Sequence, residues 1–507
     1  MTPREAGTVE DRSATATTFE SLSPANGDVV GVHPVHSAEE VEAVVARAHE
    51  EGAWWSALSF DERHQLLTAW KGVMTRRLAQ LADVMHQETG KPHGDAILEA
   101  ALAIDHLAWA AGHAEKVLKR RKVPSGLLMA NQSASVEYRP LGVVGVIGPW
   151  NYPVFTPMGS IAYALAAGNA VVFKPSEYTP GVGVWLARTF LETVGRPVFS
   201  VVTGLGETGA ALCRAGVDKL AFTGSTETGK RVMAACAETL TPVVIEAGGK
   251  DALIVDSDAD VDAAADAALW GACGNAGQTC AGVERVYVHE RVYDEFLASL
   301  TTKARGIRAD GTAGAQLGPI TMPKQLDIIR SHIADALERG GRAVVGGLES
   351  VGDRYVQPTI LVDVPEESLA VQEETFGPTM TVAKVRDMDE AITLTNGTRY
   401  GLGSTVFSKA RGMEIASRIR SGMTAINGVI SFAGVPALPF GGVGDSGFGR
   451  IHGPDGLREF TYPKAIARQR FKPLMPLTSF RRTEKHEQQL ASMMTMLHGR
   501  GTTIPKP

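Results

Sequence analysis

The chain has 507 residues, 44% of them hydrophobic, with 50 lysines and arginines against 56 aspartates and glutamates and a net charge of −6. That length exceeds what one hydrophobic core supports and implies two or three domains of an ordinary soluble protein, while the near-balanced charge excludes nucleic acid as an implied partner. Cys213, Cys236, Cys273 and Cys280 show no CxxC spacing, and none of the 13 histidines has ligand spacing, so neither a disulfide framework nor a metal site is expected and a reducing, cytoplasmic setting fits.

The opening MTPREAGTVEDRSATATTFE carries acidic residues early and has no apolar segment, so residues 1–17 read as a flexible arm rather than a signal peptide. No stretch reaches the roughly 18 apolar residues that span a bilayer. SAEEVEAVVARAHEEGAWW places apolar residues at helical spacing behind a capping box of Ser37 and Glu40, and helical patterns continue to about residue 120. Residues 124–140, PSGLLMANQSASVEYRP, break into short alternating runs between turn formers and predict a projecting hairpin. LGVVGVIGP, NAVVFKPS, PVFSVVTG and VDKLAFTGS then alternate with helical segments. Short continuous apolar strands of this kind indicate a parallel sheet covered on both faces, with ligands at the carboxyl ends of its strands. A second alternation starts at PVVIEAGGKDALIVDSDAD, runs past residue 410, and predicts a second α/β domain around Cys280. The tail from about residue 471 is basic and poor in strand formers; its Leu490, Met493, Met494 and Leu497 fall at helical spacing beside Arg481, Arg482 and Lys485. Such a stripe suits docking on the protein's own oligomer or peripheral contact with an anionic membrane.

The segments after the strands carry the chemistry. GLGETG, residues 204–209, matches the dinucleotide fingerprint G-x-G-x-x-G, although a tight strand-to-helix turn uses glycine for backbone reasons alone. GSTETG, residues 224–229, opens a helix whose backbone N–H groups could face a pyrophosphate. Lys174 and Glu177 of KPSE are either a solvated pair or partners for a ribose diol, in which case the carboxylate favours NAD over NADP. Glu246 of EAGG is either a capping or salt-bridged carboxylate or a base for activating water. Cys280 lies in GNAGQTCAG, where glycines, an asparagine and a glutamine offer little for a structural cysteine to pack against.

PWNYP, FKPSE, FTGSTETGK, EAGGKDALIV, GNAGQTC, EETFGP, NGTRYGLGSTVFS and PFGGVGDSGFGR occur in the order and approximate spacing of the aldehyde dehydrogenase superfamily. The resemblance runs from about residue 18 to 470, and IHG at residues 451–453 is similar to the branch that holds the class 3 and fatty aldehyde enzymes. Ala247 departs from the leucine most often found there.

The resemblance implies two Rossmann-like α/β domains, one cofactor-binding and one catalytic, with a small β oligomerisation element. On this basis residues 18–123 and 141–246 are the NAD-binding domain, 247–458 the catalytic domain, 124–140 and 459–471 the oligomerisation element, and 472–507 a C-terminal tail. It assigns Cys280 as nucleophile, Glu246 as general base and Asn151 as oxyanion donor. Cofactor contacts fall to Trp150, to Lys174 and Glu177 at the adenosine ribose, to Gly204 beside the adenine, to Gly224, Ser225 and Gly229 at the pyrophosphate turn, and to Glu374 and Phe376 at the nicotinamide end. The implied reaction oxidises a small-molecule aldehyde to the acid through a cysteine thiohemiacetal and thioester, with hydride passing to NAD, or to NADP. The positive charge of oxidised nicotinamide would lower the Cys280 pKa. A cysteine-dependent esterase on the same site is the alternative. A homodimer or homotetramer is implied.

Overall fold

The computed structural model describes residues 17–473, 475–499 and 501. The expected N-terminal arm lies outside the described residues except for Thr17, as do residues 502–507 of the tail. Two compact units result, a large one running up to Val117 and again from Pro140 to Tyr462, and a small one of Leu118–Arg139 and Pro463 onward.

An antiparallel pair, β1 (Thr18–Leu22) and β2 (Val29–Pro34), opens the large unit. Sequence patterning did not anticipate it, because only Phe19 and Ser21 of TFESL are buried and the alternation is short. Four helices follow up to Leu118, and the first starts at the capping box read from Ser37 and Glu40. In the small unit, β3 (Arg121–Val123) and β4 (Gln132–Pro140) pair antiparallel, with Arg121 opposite Val136. The hairpin expected over 124–140 therefore begins earlier, and residues 127–129 form a single 3₁₀ turn instead of strand.

The first large sheet is built from β5 (Val143–Ile147), β6 (Ala170–Lys174), β7 (Phe199–Val201), β8 (Lys219–Gly224) and β9 (Val243–Ala247), all parallel. The chain starts at the centre with β5, moves outward through β6 and β7, and then crosses back to lay β8 and β9 on the other side. Strand order thus reverses beside β5, where the carboxyl ends leave a crevice for a ligand.

The second sheet contains β10 (Asp251–Val255), β11 (Val283–His289), β12 (Arg342–Val345), β13 (Thr359–Val362), β14 (Thr379–Val385), β15 (Ser404–Phe407) and β16 (Ala425–Ile426), in the order β12-β13-β14-β11-β10-β15-β16. Only β12 runs antiparallel to its neighbour. Alternate residues of β10 enter different cores: Leu253 and Val255 pack with the helices Val261–Cys273 and Tyr293–Ala304, Ala252 and Ile254 with Met388–Thr395. Burial on both faces explains why DALIV reads as an unbroken apolar run. A short β17 (Gly447–Phe448) then returns to the first sheet against β9, and β18 (Thr461–Gln469) joins β4 in the small unit. The tail forms the helix Glu484–His498.

Candidate active site

Asn151, Lys174, Ser225 and Glu246 all come from the carboxyl ends of first-sheet strands or the segments directly after them. Lys174 closes β6 and is buried; its Nζ lies 3.6 Å from Glu177 Oε2, and burial pulls its pKa down. β8 ends at Gly224, and Ser225 caps the helix Thr226–Ala237 by accepting from Thr228 N at 3.3 Å. Ser225 is exposed, so the positive end of a 12-residue helix is open. Gly229 lets that helix lie close to the sheet, since a Cβ there would stand 3.2 Å from Ile245 Cγ2.

Gly204 lies in a tightly packed turn. At φ +151° it has no space for a Cβ beside Thr208, whose Oγ1 donates to His36 O at 3.0 Å, while Thr203 Oγ1 donates to Pro34 O at 2.7 Å. These bonds fasten the GLGETG turn, and Thr203 before it, to the end of β2 and the segment that follows.

Cys280 precedes β11, at the amino end of the second sheet. The helix Val261–Cys273 stops at Gly274, and Asn275, Ala276 and Gly277 then take left-handed φ values of 54°, 55° and 73° in succession. Two non-glycine residues in that region are strained and need surrounding structure to hold them. Gln278 supplies part of the restraint: Nε2 donates to Asn275 O at 2.9 Å, and Oε1 accepts from Thr321 N at 2.8 Å. Gly277 abuts the backbone of Gly377, where any Cβ would collide. This loop leaves Cys280 partly exposed while Cys213, Cys236 and Cys273 are buried.

Asn151 meets the loop directly. Its Nδ2 donates to Gln278 O at 2.9 Å, and its backbone O accepts from Asn275 Nδ2 at 3.0 Å and Lys91 Nζ at 2.7 Å. Lys91 is itself paired with Glu99 at 2.5 Å, and Glu99 Oε1 accepts from Val154 N at 2.8 Å. Both partners are buried, so the pair fixes the turn that presents Asn151. Sequence reasoning missed it because a lysine in KPHGD reads as a surface charge.

Glu246 is buried at the end of β9, where its carboxylate has the Cys280 thiol and the Thr223 side chain as polar neighbours. Burial pushes its pKa up to about 7, opposed by its neighbours Cys280 and Thr223. The Cys280 thiol is held well above its usual range, first by burial and then by Glu246, Glu374 and Asp251. Asp251 is also pushed up to about 7 by burial. The protein's own groups therefore keep the thiol protonated, and a positive charge on the same face would act in the opposite direction.

Glu374 accepts from Gly249 N at 3.0 Å, and Gly248 lies so close that a Cβ would collide with the carboxylate. Phe376, at φ +52°, stands edge-on to Trp150 with centroids 5.5 Å apart. Glu284 holds this segment by accepting from Thr375 N at 2.8 Å and Phe376 N at 2.9 Å, and it pairs with buried Lys250. Glu284 and Lys250 were also missed, their contacts lying far apart in sequence.

A cavity of about 270 Å³ reaches Cys280 from another direction, between the rings of Tyr152, Phe155, Trp270 and Phe440. Among the described residues, no group of three histidine, cysteine, aspartate or glutamate side chains is placed to hold a metal ion. Residues 11–466 match the sequence pattern of the aldehyde dehydrogenase family. The chain belongs to that family.

Similarity to individual aldehyde dehydrogenase family members covers most of each chain. The chain is 37% identical over 453 residues to the 4,4'-diapolycopene aldehyde oxidase of Methylomonas sp, spanning 88% of this chain and 85% of that one. The crystal structure of an NAD-dependent aldehyde dehydrogenase from Sinorhizobium meliloti superposes with a TM-score of 0.86 at 33% identity, over 91% of this chain and 93% of that one. An NADP-dependent enzyme of E. coli gives 0.85 at 34% identity, over 89% and 95%. The α/β architecture read from the sequence, with two largely parallel sheets, is that of this family.

Proposed function

We propose that Cys280, Asn151 and Glu246 oxidise an aldehyde to its carboxylic acid with NAD, or NADP, as cofactor. One observation carries this reading: a partly exposed cysteine on a restrained loop shares its surroundings with an asparagine amide and a buried carboxylate that neighbours the thiol. A dinucleotide suits the donor set at the strand ends, namely the open helix end at Ser225, the Lys174–Glu177 pair for a ribose diol, and Glu374 beside Gly248. When bound, it accepts the hydride from the substrate carbon. The Cys280 thiol loses its proton to solvent, and the thiolate attacks the carbonyl carbon to form a thiohemiacetal. Asn151 Nδ2 and the Cys280 N–H stabilise the oxyanion. Loss of hydride leaves a thioester on Cys280. Glu246 then takes a proton from water, and the resulting hydroxide displaces the thiolate to release the acid.

On the same reading residues 18–123 and 141–246 hold the cofactor, 247–458 are catalytic, and 124–140 with 459–471 join copies of the chain into a homodimer or homotetramer. Leu127, Leu128 and Met129, exposed in the small unit, support the last assignment. The unpaired cysteines suit the cytoplasm. The helix Glu484–His498 leaves Met496 and Leu497 exposed and is read as docking on the oligomer.

The test is NADH formation from an aldehyde, in step with acid, by the parent and by Cys280→Ala. The variant is expected to bind NAD normally and to form no NADH, and turnover near the parental rate would refute the assignment. Hydrolysis of esters without any NAD-dependent oxidation of aldehyde would favour the esterase alternative.

A further inference from the structure

The walls of the cavity at Cys280 define what can enter. Tyr152, Phe155, Trp270 and Phe440 supply rings, and the charged groups on the wall are both acidic, Asp95 and Glu99. Among the described lining residues there is no lysine or arginine. The nearby cation, Lys91, is 2% exposed and committed to Glu99 and the Asn151 carbonyl. A substrate carboxylate entering here would lose water, find no counter-ion, and meet Asp95 as a like charge.

Size adds a second constraint. At 270 Å³ the cavity falls just below the roughly 300 Å³ at which small-molecule pockets usually begin. Its wall nonetheless includes two apolar side chains that stay open to solvent, Leu98 at 48% and Trp270 at 50%. A chain too long for the interior therefore has apolar surface to lie on as it leaves.

Resting on the proposed dehydrogenase reading, we infer that the enzyme takes uncharged, apolar aldehydes whose aliphatic or aromatic body extends onto Leu98 and Trp270, and that it discriminates against acidic semialdehydes. The test is kcat/KM with NAD for decanal and succinic semialdehyde, measured on the parent, Trp270→Ala and Asp95→Asn. Decanal is expected to exceed succinic semialdehyde by about 100-fold or more. Trp270→Ala, at a half-exposed position, should lower that ratio about fivefold through decanal, and Asp95→Asn should lower it through the semialdehyde. NADH formation with the semialdehyde equal or preferred would overturn the inference and leave the dehydrogenase reading standing. No NADH from either aldehyde would overturn both.

Discussion

The wall through which the cavity reaches Cys280 includes the rings of Tyr152, Phe155, Trp270 and Phe440, whereas Glu246, Asp251 and Glu374 act on the same thiol without lining that cavity. The rings offer contact and exclude water. The carboxyl groups offer charge, and burial resists that charge, so Glu246 and Asp251 are raised and the thiol with them. On the proposed reading, recognition falls to the cavity wall and protonation to the three carboxyl groups beyond it, and substitutions should separate them. Asn151 belongs to the boundary, held by Lys91 and Glu99 and donating into the cysteine loop.

The largest expected effect comes from breaking what holds the boundary. Lys91→Met leaves Glu99 buried without its cation and should cost about 3–5 kcal/mol of stability. The checks are the urea midpoint and kcat, both of which should fall; a midpoint shared with the parent would show that the pair does not support the turn. Asn151→Ala removes a donor from the proposed oxyanion site and should lower kcat by about 100- to 1000-fold, with NAD affinity unchanged by fluorescence titration. The carboxyl side is sharpened by pH. Glu246 sits near pKa 7, so it is protonated and useless as a base below that value and ionised above it. Release of acid from the acyl-enzyme should therefore rise through about pH 7 in single-turnover measurements, and a flat profile from pH 5 to 9 would remove Glu246 from that step.

Much of the site was legible because its members sit in short, contiguous motifs at strand ends. Glu246 precedes Gly248 and Gly249, Lys174 precedes Pro175, and Cys280 follows a run whose glycines mark an unusual backbone. Local rules connect such motifs to turns and helix starts without knowledge of the fold. The residues that hold those motifs in place were not legible, since Lys91 reaches Asn151 across 60 positions and Glu284 reaches Thr375 across 91. A buried lysine and a surface lysine look alike in sequence, and only the packing of distant segments tells them apart. The fingerprint at Gly204 also has a structural demand that local sequence does not show. Its glycine spacing is genuine, yet the observed demand at its first glycine comes from Thr208 and a strap to His36.

The β1–β2 pair escaped the sequence for a further reason. TFESL alternates cleanly but over only five residues, with a serine at one of its two buried positions, and VVGVHP is half exposed with no buried residue, so neither stands out as a strand.

The covalent role of Cys280 is tested most directly in Glu246→Gln, where acid release should fail after oxidation has occurred. Given NAD and an aldehyde, that variant should form one equivalent of NADH per site and then stall. Mass spectrometry should find the acyl group on the peptide that carries Cys280. Continued turnover with that peptide unmodified would contradict the account.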